Sequence, residues 1–235
     1  MTGSILLGGG GEFQKGFETA DKAALQLAGG SHTPLIVMTL LADSVAASQR
    51  ATVATTWLTK LGAANITSCL VNSKTDANQA DLLEKIALAK LIYLAGDDAN
   101  FILTTLKGSL VWEAILGSWA NGTLLATSSA AAMALGEFVY TTTTTTTTAK
   151  VELWSGLGLL PNTIVVPQHN LNERTWVQKI QATQPEALVL GIDEHAAVLG
   201  NDNEWRGYGR GWVTVYQQAK PAKYVTGQPF KLSNK

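Results

Sequence analysis

Short apolar runs alternate with amphipathic stretches along most of the chain, and this alternation predicts the fold. Residues 4–7 form a brief apolar run stopped by the glycines of residues 8–11, and residues 34–41 are apolar and rich in β-branched side chains. A run of that kind suits a parallel strand buried on both faces. Residues 48–61 read as a helix and lead to a third strand at 66–71. Residues 81–89 carry Leu82, Leu83, Ile86 and Leu88 at mixed spacings of three and four, a helical pattern. Residues 91–94 form a strand that ends at Ala95-Gly96-Asp97-Asp98. Helices are predicted near 99–106 and 110–119, followed by a short strand at 123–126. Strands alternating with helices imply crossover connections, so the prediction is an α/β three-layer sandwich: a mainly parallel central sheet with helices on both faces. In such sheets ligands bind at the carboxyl ends of the strands. The glycines of 8–11, the turn at 95–98 and the turn at 127–129 are therefore the places to look for chemistry.

Two segments depart from the pattern. Residues 141–148 are eight consecutive threonines, poor helix formers that end the preceding helix and read as a loop or a solvent-facing extended segment. A flap touching substrate is the sharper alternative. In the last third, 187–192, 196–199 and 212–216 are short β-like runs that extend the sheet, some of them antiparallel. A single domain is expected over 1–220, with 221–235 as a peripheral tail.

Composition then narrows the function. Of 235 residues, 46% are hydrophobic and 15% charged, with 17 basic against 18 acidic side chains. A near-neutral balance excludes the basic surplus that phosphate backbones require, so no nucleic-acid partner is expected. No apolar stretch approaches the ~20 residues of a membrane helix, and the first residues lack a signal-peptide pattern. A soluble cytoplasmic protein with no membrane partner is the prediction. Cys69 stands alone, which leaves neither an intramolecular disulfide nor a cysteine-based metal site. No metal and no cofactor are expected.

The most informative stretch is Leu124-Leu125-Ala126-Thr127-Ser128-Ser129-Ala130-Ala131-Ala132, which reads strand, sharp turn, helix with a serine at the turn. A nucleophile elbow works this way, because the turn exposes the hydroxyl and the helix start supplies backbone N–H groups. Taken alone, such a serine is more often an N-cap. His169 follows an apolar run, where a strand end would present it as a general base. A lone loop histidine is as often solvated surface. Gly191-Ile192-Asp193-Glu194-His195 places two carboxylates after another apolar run, which is equally an ordinary acidic turn.

In order and spacing these segments resemble the peptidase E and cyanophycinase family of serine peptidases, built on the class I glutamine amidotransferase-like fold. The likeness runs from near the start to about residue 216. Leu6-Leu7-Gly8-Gly9-Gly10-Gly11-Glu12 resembles the family's opening strand and glycine loop. Ile92-Tyr93-Leu94-Ala95-Gly96-Asp97-Asp98 resembles its Gly-Gly-Asp-Gln loop, with Ala95 and Asp98 replacing the first Gly and the Gln. Ser129-Ala130-Ala131-Ala132 resembles its Ser-Ala-Gly-Ala motif, and Gly136 also matches. The run from Gly156 to Pro161 with Gln168-His169, the Gly191-Ile192-Asp193-Glu194 turn and Gly209-Arg210-Gly211-Trp212-Val213 complete the series.

The resemblance implies a serine-type peptidase acting on small peptides through an acyl-enzyme. Ser129 would be the nucleophile, His169 its base and Glu194 the carboxylate that orients the imidazole. The amides of Gly96 and Ala130 would form the oxyanion hole, and Asp98, Gln168 and Arg174 would contact substrate. A homodimer is left open. A register with Ser128 as nucleophile misaligns Gly136. Where the family has glycine on either side of its nucleophile, this chain has Thr127 and Ala131. The arginines that follow the histidine in cyanophycin-cleaving members are mostly missing, with Arg174 nearby. These departures argue against cyanophycin as substrate and against a strict preference for N-terminal aspartyl residues. They also support a second reading, a catalytically impaired member serving as a binding or assembly module. A glutamine amidotransferase would need cysteine at the elbow. A nucleotide loop at 8–11 lacks its Lys-Ser/Thr ending, and Phe13 occupies the last glycine of the dinucleotide fingerprint.

Overall fold

The computed structural model describes residues 2–144, 149–171, 174–201, 204–217 and 221–232. Along the first half, β1 (Ile5–Gly8), α1 (Glu18–Leu27), β2 (Leu35–Leu40), α2 (Ser44–Lys60), β3 (Ile66–Val71), α3 (Ala80–Leu88), β4 (Leu91–Ala95), α4 (Ala99–Leu106), α5 (Leu110–Ala120), β5 (Leu124–Ser128) and α6 (Ser129–Ala134) alternate as the pattern predicts. The second half adds β6 (Phe138–Thr144), β7 (Ala149–Ser155), β8 (Thr163–Val166), α7 (Arg174–Thr183), β9 (Leu188–Ile192) and β10 (Ala196–Gly200). It ends with β11 (Trp205–Gly209), β12 (Val213–Tyr216), β13 (Ala222–Tyr224) and β14 (Pro229–Phe230).

The main sheet has the order β14-β11-β10-β1-β5-β4-β2-β3. β1, β5, β4, β2 and β3 run parallel, and β10, β11 and β14 add on in antiparallel fashion. The four inner parallel strands are buried at every position, whereas β3 at the edge alternates. That is the difference expected between a strand covered on both faces and one half open to solvent. Met38, Leu40, Ile92, Leu94 and Leu125 pack on one face with Ile86, Ile102, Val111 and Ala131 of the α3–α6 layer. Leu6, Val37, Tyr93 and Ala126 pack on the other with Ala20, Ala24, Ala54 and Leu58 of α1 and α2. The expected three layers are present. No helix among the described residues is long and apolar enough to cross a membrane.

The C-terminal third differs from the expectation. Only β10, β11 and β14 extend the main sheet; the runs expected at 187–192 and 212–216 instead build a second sheet, ordered β13-β12-β9-β8. β10 already occupies the free edge of β1, so β9 pairs with β8 in parallel through the α7 crossover and with β12 on its other side. Ile164, Val166 and Val189 bury their faces against Val177 and Ile180 of α7. Residues 222–230 are tied in rather than peripheral: β13 pairs with β12, β14 pairs with β11, and the Phe230 ring stacks on Tyr224 at 4.3 Å. The first four residues of the threonine run finish β6, paired antiparallel with β7, and residues 145–148 lie outside the described residues. Extended structure there follows from β-branching.

Candidate active site

Four loops meet at the carboxyl ends of β1 and β5, and the glycine loop after β1 joins them. Gly10 N–H donates to Ser128 Oγ at 3.2 Å. Gly9 accepts from Gln168 N–H at 2.7 Å, and Gly10 accepts from His195 N–H at 2.9 Å. The approach is close enough to require glycine: a Cβ at Gly8 would lie 2.6 Å from Ser128 Oγ, and one at Gly9 2.2 Å from the Asp193 carbonyl. Ser129, Gln168 and His195 adopt positive φ values of 52°, 48° and 61°. Left-handed backbone at non-glycine residues costs energy and concentrates at functional sites.

Ser129 forms the turn between β5 and α6. Ser128 before it is still extended, with φ −146° and ψ 159°, and its buried hydroxyl is engaged by Gly10. The reversal therefore falls on Ser129, which leaves its Oγ without a hydrogen-bond partner among the described residues. Thr127 fits where the resemblance expects glycine because its hydroxyl donates to the Leu6 carbonyl at 3.2 Å, and Ala131 is buried in the core beneath the turn. Gly96 ends β4 beside this turn. A side chain there would meet the Leu40 carbonyl at 2.6 Å and Ile102 at 3.0 Å. Ala130 is the second residue of α6 and is buried.

His169 sits on the outer face of the second sheet. Its ring lies over Gly191, where a Cβ would be 2.5 Å from Cδ2. Nδ1 is 3.2 Å from Asp193 Oδ1, and Nε2 is 2.8 Å from the Tyr216 hydroxyl. The expected hydrogen bond between Ser129 and His169 is thus absent in this structure. The imidazole is also held by a different carboxylate from the Glu194 expected. Side chains alternate along an extended chain, so Asp193 shares a side with Gly191, where the ring lies, and Glu194 turns to the other. Asp193 N–H donates to the Trp212 carbonyl, which continues the β9–β12 ladder and sets this phase. Glu194 donates its backbone N–H to Asn170 Oδ1, and its carboxylate has no hydrogen-bond partner among the described residues.

The expected substrate contacts separate. Gln168 is exposed, with its side chain beside Gly10. Asp98 caps α4, its Oδ1 accepting from Asn100 N–H at 2.8 Å and Phe101 N–H at 3.2 Å. Arg174 begins α7, and its side chain lies outside the described residues. Of the two groups that hold the imidazole, Asp193 is one of the two carboxylates that follow the apolar run at 187–192, and Tyr216 carries no local sequence signal. A cleft of about 990 Å³ opens beside His169, Asp193, Trp212, Thr214 and Tyr216.

A second polar cluster lies under the glycine loop. Asp21 of α1 is buried and accepts from Trp57 Nε1 at 2.7 Å. Burial pushes its carboxyl up to about 7 against the opposing Trp57 bond, and Glu12 and Glu18 add to the rise.

Residues 5–207 match the profile of peptidase family S51. Curated cyanophycinases from Synechococcus elongatus and Thermosynechococcus vestitus are each 29% identical over 162 residues, which cover 66% of this chain and 50% of theirs. The match spans about half the length of those relatives. Among solved structures, a peptidase from an acI-B1 actinobacterium superposes with a TM-score of 0.82 at 21% identity, covering 99% of this chain and 98% of that one. A putative peptidase E from Listeria monocytogenes gives 0.64 at 18% identity, covering 90% and 100%. At these identities the two structures speak for a shared fold. The profile match covers most of the chain, and the chain belongs to peptidase family S51.

Proposed function

We propose that the chain is a serine-type peptidase hydrolysing small peptides, with Ser129 as nucleophile, His169 as general base and a carboxylate of the 193–194 turn orienting the imidazole. Glu194 is the residue the family resemblance assigns to that last role. The observation that carries the reading is the backbone of Ser129, a non-glycine residue at φ 52° on a strand-to-helix turn, in a chain of family S51. A nucleophile elbow requires that conformation, because it lifts the hydroxyl clear of the sheet.

The reaction would run as acyl transfer to water. His169 takes the Ser129 proton as Oγ attacks the peptide carbonyl, and the amides of Gly96 and Ala130 receive the developing oxyanion. The imidazolium returns the proton to the leaving amine, and water then releases the acyl group by the same steps. For this, His169 Nε2 has to exchange the Tyr216 hydroxyl for that of Ser129. Gln168, at the rim beside Gly10, would contact the peptide, and the family resemblance assigns a substrate contact to Arg174.

One observation favours the second reading, a catalytically impaired member acting as a binding or assembly module: both ring nitrogens of His169 are engaged away from Ser129. Labelling with a serine-directed fluorophosphonate separates the two. The peptidase reading expects labelling of the wild type that disappears in Ser129→Ala. An unlabelled wild type, under conditions that label a control serine hydrolase, would overturn the peptidase reading and favour the binding module.

A further inference from the structure

We infer that Ser128 is a positioning residue: its hydroxyl fixes the peptide unit between Gly9 and Gly10 as a strut that ties the Ser129 turn to the loop carrying Gln168. The role in catalysis rests on the peptidase reading, while the strut itself stands on geometry alone.

The strand phase puts this hydroxyl on the side of the glycine loop. Ala126 packs against the α1 and α2 layer, and side chains two apart on a strand share a face, so Ser128 points toward the loop that leaves β1. Ser129 then carries the chain over to α6, whose alanines pack on the opposite face. Ser128 is therefore the last side chain of β5 on the loop side, and it is buried. Its Oγ accepts from Gly10 N–H at 3.2 Å, although the two residues are 118 positions apart in the sequence.

A peptide unit is planar and trans, so its C=O and N–H point in opposite directions. The unit that turns Gly10 N–H to Ser128 therefore turns the Gly9 carbonyl the other way, and that carbonyl accepts from Gln168 N–H at 2.7 Å. One rigid amide thus reaches from the residue before Ser129 to the residue before His169. Glycine on both sides leaves this amide free to rotate, so hydrogen bonds rather than side chains set its plane. Gln168 is itself left-handed, at φ 48°, a conformation that persists only where its surroundings enforce it. The Gly9 carbonyl is one of those surroundings; the bonds from His169 N–H to the Ile192 carbonyl and from Leu171 N–H to the Gln168 carbonyl are the others. Without the Ser128 hydroxyl, the buried Gly10 N–H would lose its acceptor, a costly state. Rotation of the amide relieves it, and the same rotation takes the Gly9 carbonyl away from Gln168. The two bonds are made and lost together.

The test uses the full-length chain and two readouts, hydrogen exchange of single amides by NMR and fluorophosphonate labelling. In Ser128→Ala the amides of Gly10 and Gln168 should both exchange about tenfold faster or more, because one local opening exposes the two. The amide of Gly9, bonded to the Ala196 carbonyl through the preceding peptide unit, should stay within about threefold of wild type. Labelling of Ser129 should slow by about 10- to 100-fold, on the order of what a ~1 Å misplacement costs. Ser128→Thr keeps the hydroxyl and should restore both readouts. Unchanged exchange at Gln168 in Ser128→Ala, or a rise at Gly9 as large as that at Gln168, overturns the strut. Wild-type labelling rates in Ser128→Ala overturn the positioning role. A Gln168 amide that exchanges freely in the wild type while that of Gly10 is protected overturns the inference even if Ser128→Ala does not fold. If the wild type never labels but the two amides open together, the peptidase reading fails and the strut survives.

Discussion

The Ser129 turn and the His169 seat are built by different means. The turn is made of backbone: a strand end, one left-handed residue, a short helix, and glycines that let a neighbouring loop approach. The seat is made of side chains from separate elements, brought together by the register of β9 and β12. A site half can thus be set by local conformation or by strand phase. Only the first leaves a contiguous mark in the sequence.

Removing the proposed base tests the comparison most severely. His169→Ala should lower fluorophosphonate labelling by roughly 10²–10⁴-fold, the usual worth of a general base. Retained labelling would mean that the two halves do not work together. Next comes the seat's own glycine. Gly191→Ala places a Cβ 2.5 Å from the imidazole, and a ring pushed off Asp193 should cost about 10²-fold in labelling rate. Gly8→Ala, its counterpart near the turn, collides with Ser128 Oγ and Phe17. It should instead show first in thermal unfolding, as overpacking of about 1–3 kcal/mol.

The third experiment asks how dry the glycine-loop side is. Asp21, in the folded chain, holds its proton up to about pH 7, well above the unfolded value near 3.9. The folded state therefore binds the proton more tightly, and this group makes stability fall as pH rises from about 4 to 7, with no further change above that window. Asp21→Asn cannot ionise, so its stability relative to wild type should be nearly unchanged at pH 4 and higher at pH 8 by about 4 kcal/mol. Urea unfolding at the two pH values checks the sign, and a variant less stable at pH 8 would mean an ionised, well-compensated Asp21. The smallest effect belongs to Thr127→Val, which keeps the shape and deletes the hydroxyl that bonds Leu6; about 1 kcal/mol is expected in the same measurement.

The parallel strands were legible because each is a short apolar run between helical periods. The Ser129 turn was legible because strand, serine and alanine-rich helix follow one another directly. The choice between Asp193 and Glu194 was not, since it depends on which side of β9 each faces, and a carbonyl nineteen residues later decides that. Tyr216 was hidden for the same reason: 212–216 reads as a strand, but nothing local says that it joins β9 in a separate sheet. Asp98 did carry a readable signal. An aspartate just before a helical period is a cap, and the structure uses it as one.

The position of β1 between β5 and β10 has a consequence for synthesis. β1 must wait for residues 124–128 on one side and residues 196–200 on the other, and the histidine's seat needs Tyr216. Contacts of such sequence separation form late and slowly. Ser129 leaves the ribosome long before Asp193 and Tyr216, which hold the imidazole. A nascent chain therefore presents Ser129 before the seat of the imidazole exists, and that seat forms only once residue 216 has been made.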